Sequence, residues 1–109
     1  MRDDCVNLPE SLDFLIVALC GDYLRMRDAS RTSEITYRTL MEYRYFTFKM
    51  YDAAAEIVGE READLYIEEI GRRRGYAKSE LLSEVSEVTY KKRKKSVKLN
   101  IARKLHLVD

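Results

Sequence analysis

The chemistry on offer in this chain is cationic. Lys91-Lys92-Arg93-Lys94-Lys95 form an unbroken run, continued by Lys98, Arg103 and Lys104. Five consecutive cations on a helix cannot all be offset by partners four residues away, so most of the run projects outward as a positive surface. Phosphate backbones reward such a surface, because each charge they neutralise releases counterions. Contact with about six phosphates would give a logarithmic salt slope near −5. Thr89 and Ser96 flank the run with hydroxyls for bases or phosphates, and Arg93 has the fork that reads guanine edges. Arg72-Arg73-Arg74 is a second cluster that would grip phosphate beside the first. Each feature also has a plainer reading. The lysine run suits a solvated face, or a face docked on acidic parts of the same chain. Arg72 and Arg73 follow Glu68 and Glu69 by four residues, the spacing of ordinary helix ion pairs, and arginines suit a helix C-terminus.

Other chemistry is poorly supplied. The one histidine, His106, lies three residues from the C-terminus and reads as a helix-end or surface residue. There is no CxxC, HExxH or ExxH spacing, and no glycine-rich phosphate loop. Glu60, Asp64 and Glu68 align on one helix face, but without histidine such a row reads as solvated or ion-paired. The expectation is no catalytic site, no metal, no cofactor and no enzyme activity. Cys5 and Cys20 are two thiols without a framework, which suits a reducing cytoplasm. The longest apolar run, Phe14–Cys20, is too short to span a membrane, and the start of the chain has no signal-peptide pattern.

The elements that position these residues read as helices. One proline and four glycines leave few strand or turn signals, while 46% hydrophobic residues suffice for a core. Asn7 and Glu10 fit a capping box opening a first helix to about Met26, with Leu12, Leu15, Ile16, Leu19 and Tyr23 as its stripe. A second helix is predicted from Thr32 or Ser33 to Val58, capped by Gly59. It carries two apolar stripes, one through Tyr37, Met41, Tyr45, Phe48 and Ala55, the other through Leu40, Tyr43, Met50, Ala54 and Ile57. A helix apolar around most of its circumference must be covered on several sides, so it is either central or part of a dimer interface. Its aromatic residues have the spacing of a core rather than of a base-stacking platform. A third helix is predicted from Glu60 to Arg74, stopped by Gly75. GxxxG spacing at Gly71–Gly75 encloses three arginines and is no membrane-dimer motif.

The last third contains two more caps. Ser79 would open a short helical turn, Glu80-Leu81-Leu82. Ser86 would cap a new helix with Glu87 in its first turn, and Val85 with Tyr90 would form a hydrophobic staple. Tyr90, Val97, Ile101, Leu105 and Val108 then keep helical spacing. A single helix over 79–107 is the alternative, but Lys92 and Lys95 would interrupt its apolar stripe. Helix, short helix, turn and capped basic helix is the order of a helix-turn-helix unit, whose recognition helix enters the major groove N-terminus first.

Ser86-Glu87-Val88-Thr89-Tyr90-Lys91-Lys92-Arg93-Lys94, followed by Ile101-Ala102-Arg103-Lys104-Leu105, resembles the C-terminal segment of small phage transcriptional regulators of the ArpU type. Their C-terminal unit is similar to the helix-turn-helix of sigma-factor region four. The resemblance covers about residues 60–108. It implies a DNA-contacting role for Thr89, Lys91, Lys92 and Arg93.

Charge ties the two halves together. Residues 1–70 carry eight Lys/Arg and fifteen Asp/Glu, whereas residues 71–109 carry twelve and four, so a net charge of +1 conceals an acidic body and a basic end. These observations predict a single all-α domain over 1–109, of four or five helices. Residues 1–59 would form an antiparallel hairpin around a long central helix, a possible dimerisation element. Residues 60–109 would form a helix-turn-helix-like basic unit. The expected partner is double-stranded DNA, contacted by Thr89, Lys91, Lys92, Arg93, Lys95, Ser96 and Arg72–Arg74, with phosphate anchoring by the lysines and arginines. The expected role is transcriptional regulation in a phage or mobile element. The competing expectation is a helical protein-interaction module, such as a phage inhibitor of a host protein, whose basic helix binds an acidic protein surface.

Overall fold

A computed structural model describes residues 8–31, 35–81 and 84–108. It is all-helical, as expected: α1 (Glu10–Ala29), α2 (Tyr37–Val58), α3 (Glu60–Gly71), one turn of 3-10 helix (Tyr76–Lys78) and α4 (Glu87–Lys104). No strand occurs among the described residues. The C-terminal half of α2 is the hub, packed by α1, α3 and α4. Its Met50, Ala53 and Ala54 are fully buried against Ile16, Cys20 and Tyr23 of α1, Ala63, Ile67 and Ile70 of α3, and Val97 and Ile101 of α4. Each large aliphatic side chain withdrawn from water in this way contributes roughly 1.5–3 kcal/mol. A second cluster, Tyr66, Leu81 and Tyr90, seals the junction of α3, the following loop and α4.

Local chemistry sets the helix ends. Thr36 caps α2 through the Thr39 amide at 3.2 Å, so this helix starts later than the Thr32 or Ser33 expected. Those two residues and the Asn7 of the expected capping box lie outside the described residues, and the visible N-cap of α1 is Pro9. The first helix runs on to Ala29, with its inward face at Ile16, Cys20 and Tyr23, leaving Leu15 exposed. Gly59 joins α2 to α3 with φ 89°, the positive-φ conformation glycine adopts at no steric cost.

The third helix ends at Gly71 rather than Arg74. Arg73 adopts φ 55°, and its amide and that of Arg74 donate to the carbonyls of Ile70 and Glu69 at 3.1 and 3.0 Å, a Schellman closure whose left-handed residue stands two positions before the expected Gly75 stop. The same closure recurs at the end of α4. There His106 has φ 60°, and the His106 and Leu107 amides donate to Arg103 and Ala102 at 3.0 and 2.8 Å.

Between α3 and α4 there is a single turn of 3-10 helix at Tyr76–Lys78, and the Leu81 carbonyl accepts from the Glu84 and Val85 amides at 2.9 and 3.1 Å, while the expected turn Glu80-Leu81-Leu82 lies partly outside the described residues. Leu82 and Ser83 lie outside the described residues. Ser79 still caps locally, accepting from the Leu81 amide at 2.9 Å. The break before the last helix is present, with Ser86 accepting from the Thr89 amide at 3.2 Å and Val85 packed on the Tyr90 cluster.

Candidate functional site

Three attachments hold α4 in place. Ser86 caps its N-terminus, Val97 and Ile101 enter the main core, and Tyr90 anchors its first turns. The Tyr90 hydroxyl donates at 2.6 Å to Glu69, a carboxylate sealed from solvent. Glu69 was expected to pair with Arg73 at i+4; instead it lies on the buried face of α3 beside Tyr66 and Ile70, and Arg73 lies beyond the helix end. Ser79 Oγ and the Glu80 amide complete its shell at 2.6 and 3.1 Å. Burial works to raise the Glu69 pKa, but these hydrogen bonds and the charge of Arg74 outweigh it and hold the carboxyl below its usual range. The node fixes α4 relative to α3 and their connecting loop.

At 100° per residue, the cations of α4 separate into faces. Lys91, Lys94, Lys95 and Lys98 share one face and line a groove against Glu10 and Asp13 at the start of α1. A second groove adjoins it, sharing Asp13, Lys94 and Lys98, and is completed by Phe14, Arg73 and Arg74. Together the grooves hold six cations and two carboxylates. Lys98 is bonded to Asp13 at 2.8 Å, and Lys94 donates to the Arg74 carbonyl at 2.6 Å while lying 5.0 Å from the Tyr90 ring centre. Burial, then the neighbouring Lys98, pushes the Lys94 ammonium below the usual lysine range. The Arg73 guanidinium sits 5.6 Å from the ring centre of Phe14, which is half exposed.

The expected site residues therefore divide. Lys91 and Lys95 lie in the first groove, and Arg73 and Arg74 in the second. Lys92 is exposed outside them, beside Ser96. Thr89 Oγ1 accepts from Ser86 Oγ at 3.0 Å, so it serves the cap as well as facing outward. Arg93 points the other way, 3.9 Å from Glu62, and Arg72 pairs with Glu68 at 2.8 Å as the plainer reading proposed. On that third face Lys104 reaches Asp52 at 3.2 Å and also Glu56, and Asn100 donates to the Ala53 carbonyl at 2.9 Å. Part of the basic end is thus docked on the acidic body.

Lys94 and Lys98 were missing from the expected set, as were Glu10, Asp13 and Phe14. The spacing of 91, 94, 95 and 98 carries a signal for the lysines, since i, i+3, i+4 and i+7 lie on one helical stripe. That α1 forms the opposite wall has no local signal.

The carboxylate row on α3 is structural. Asp64 accepts from the Tyr23 hydroxyl at 2.7 Å and Arg27 at 2.9 Å, and Glu68 holds Arg72. Among the described residues no group of three or more His, Cys, Asp or Glu is placed to hold a metal, and no helix is long and apolar enough to cross a membrane. Comparison with known proteins returns no matching family, no matching curated sequence and no matching solved structure.

Proposed function

We propose that the chain binds DNA through the N-terminal half of α4 and the grooves beside it, and that it acts as a transcriptional regulator of the phage or mobile-element kind its C-terminal segment resembles. The observation that carries this reading is the excess of cations along two continuous grooves, next to a helix N-terminus that presents Lys91 and Lys92 to solvent. Grooves of about 450 and 350 Å³ suit one sugar–phosphate strand rather than a whole duplex. Lys91, Lys94, Lys95, Arg73 and Arg74 would seat the backbone, and the adjacent Lys92, Thr89 and Ser96 would face the bases. The positive end of the α4 dipole adds to the attraction.

A second reading has its own support. Lys98, Lys104 and Arg93 already meet carboxylates of α1, α2 and α3, so this helix suits acidic protein surfaces. In that reading the chain is an interaction module, such as an inhibitor of a host protein.

Duplex binding measured at several salt concentrations separates the two. The parent should bind at about 50 mM salt with affinity falling steeply as salt rises. A Lys91/Lys95/Arg73 triple alanine variant should lose most of the affinity and about two to three units of salt slope. No binding by the parent defeats the DNA reading, and full binding by the triple variant moves the site elsewhere.

A further inference from the structure

The N-terminal half of α2 projects beyond the hub and carries an uncovered apolar stripe. Tyr37 is 77% exposed, Phe48 68%, Met41 46% and Tyr45 45%. At roughly 200 Å² per large side chain these four leave about 500 Å² of contiguous apolar surface in water, near the upper end for a monomer. From the exposed stripe and the charges beside it, we infer that a second copy of this chain covers it, with the two α2 helices antiparallel about a two-fold axis at Tyr45.

The sequence around Tyr45 is self-complementary in that arrangement and in no parallel one. Met41 lies four residues before Tyr45 and Phe48 three after, so reversal places Phe48 of each copy against Met41 and Tyr45 of the other. Glu42 lies three before and Lys49 four after, which places a carboxylate opposite an ammonium twice. Arg38 and Asp52 lie seven before and seven after, but Asp52 is already paired with Lys104 of its own copy at 3.2 Å, so the pairing between copies rests on Glu42 and Lys49. Met41, Tyr45 and Phe48 meet one another across the axis and Glu42 meets Lys49 twice, while Tyr37 reaches the level of buried Ala53 and lies outside this apolar contact. The Arg38 side chain is 91% exposed, and Glu42 and Lys49 have only local partners, Arg38 at 3.4 Å and the Tyr45 ring at 5.8 Å. The stems of these charged residues extend the buried surface toward the roughly 800 Å² per partner of a stable interface. Arg44 lies on the other edge, one residue from the axis, where it approaches its own copy. That repulsion sets a limit on affinity, so the dimer forms at micromolar concentrations and is sensitive to substitution.

Sedimentation of the full chain without nucleic acid tests this independently of DNA binding. The parent should rise from 12.8 kDa toward twice that mass between about 1 and 300 µM. Glu42→Lys and Lys49→Glu, each alone, set like charges opposite each other twice and should weaken dimerisation about tenfold or more. The double exchange restores both pairs in the antiparallel arrangement only and should recover dimerisation. Phe48→Glu should abolish the dimer with unchanged helical circular dichroism. A parent that stays monomeric throughout, single variants that dimerise like the parent, or a double exchange without recovery each overturn the inference.

Discussion

Gly71 touches Gly21 where α3 crosses α1. A Cβ built on Gly71 would stand 2.4 Å from the Gly21 amide nitrogen and 2.5 Å from the Cys20 carbonyl carbon. Backbone, not a flexible side chain, occupies that space. The relationship is one-sided, because a Cβ on Gly21 comes no nearer to the Gly71 backbone than 3.5 Å, at its carbonyl oxygen, an ordinary contact. The glycine at 71 therefore lets two helix backbones meet, the use that its spacing with Gly75 had not indicated.

The two alanine variants should diverge. Gly71→Ala is expected to cost at least about 2 kcal/mol, since overpacking against backbone exceeds the helix-propensity gain. Gly21→Ala should be neutral, or stabilising by up to about 1 kcal/mol, because it removes a mid-helix glycine without a clash. Urea denaturation followed by circular dichroism measures both. Equal effects would mean that the α1–α3 crossing is not as close as described.

A second expectation concerns the buried carboxylate. The native pKa of Glu69 lies below its unfolded value, so its contribution to stability is present above the unfolded pKa and is lost as pH falls through the native one. Glu69→Gln keeps the shape but sets an amide donor against a Ser79, Tyr90 or Glu80 donor. It should cost about 1–3 kcal/mol at neutral pH. The difference between parent and variant should shrink as pH falls through the ordinary carboxylate range and beyond, where first the unfolded and then the native parent takes up the proton that the amide never binds. Urea midpoints at pH 7, 5 and 3.5 check this; a difference independent of pH would show that the native and unfolded pKa of Glu69 are equal, and a parent that gains on the variant with acidification would show that Glu69 is protonated in the native fold.

Much of this architecture is legible along the chain. The Ser86 cap, the Val85–Tyr90 staple and the inward spacing of Tyr90, Val97 and Ile101 are local signals, and each places α4 as observed. The long second helix is also local, and its two apolar stripes divide in large part, with Tyr43, Met50 and Ala54 inward and Tyr37, Met41, Tyr45 and Phe48 outward, but Ile57 of the inward stripe is exposed and Ala55 of the outward one packs on the core. What was not legible depends on tertiary neighbours. Glu69 has the i+4 spacing of a surface pair with Arg73, yet it lies on the inward face of α3 with Tyr66 and Ile70, and the groups that satisfy it, Ser79 and Tyr90, come from outside that helix. Lys98 belongs to the lysine stripe, yet its partner Asp13 is 85 residues away. The groove needs α1 as its second wall, and no pattern within residues 71–109 specifies that.

Arg73 joins the fold and the candidate site in one residue. It occupies the left-handed position that closes α3, where a Cβ is disfavoured by roughly 1 kcal/mol relative to glycine, while its guanidinium lines the groove beside Phe14. Stability alone would favour glycine there. Arg73→Gly should therefore raise the unfolding free energy by about 0.5–1 kcal/mol, even after allowing for the greater freedom of the unfolded chain. The same variant should weaken DNA binding several-fold and reduce its salt slope by about one unit, as expected for the loss of one phosphate contact. Arg73→Ala separates the two effects, because it removes the charge and keeps the Cβ. It should match the glycine variant in binding and fall below it in stability. Urea midpoints and salt-dependent binding of the three proteins decide the matter. A glycine variant no more stable than the alanine one would show that the backbone at 73 carries no strain, and unchanged binding by both would remove Arg73 from the interface.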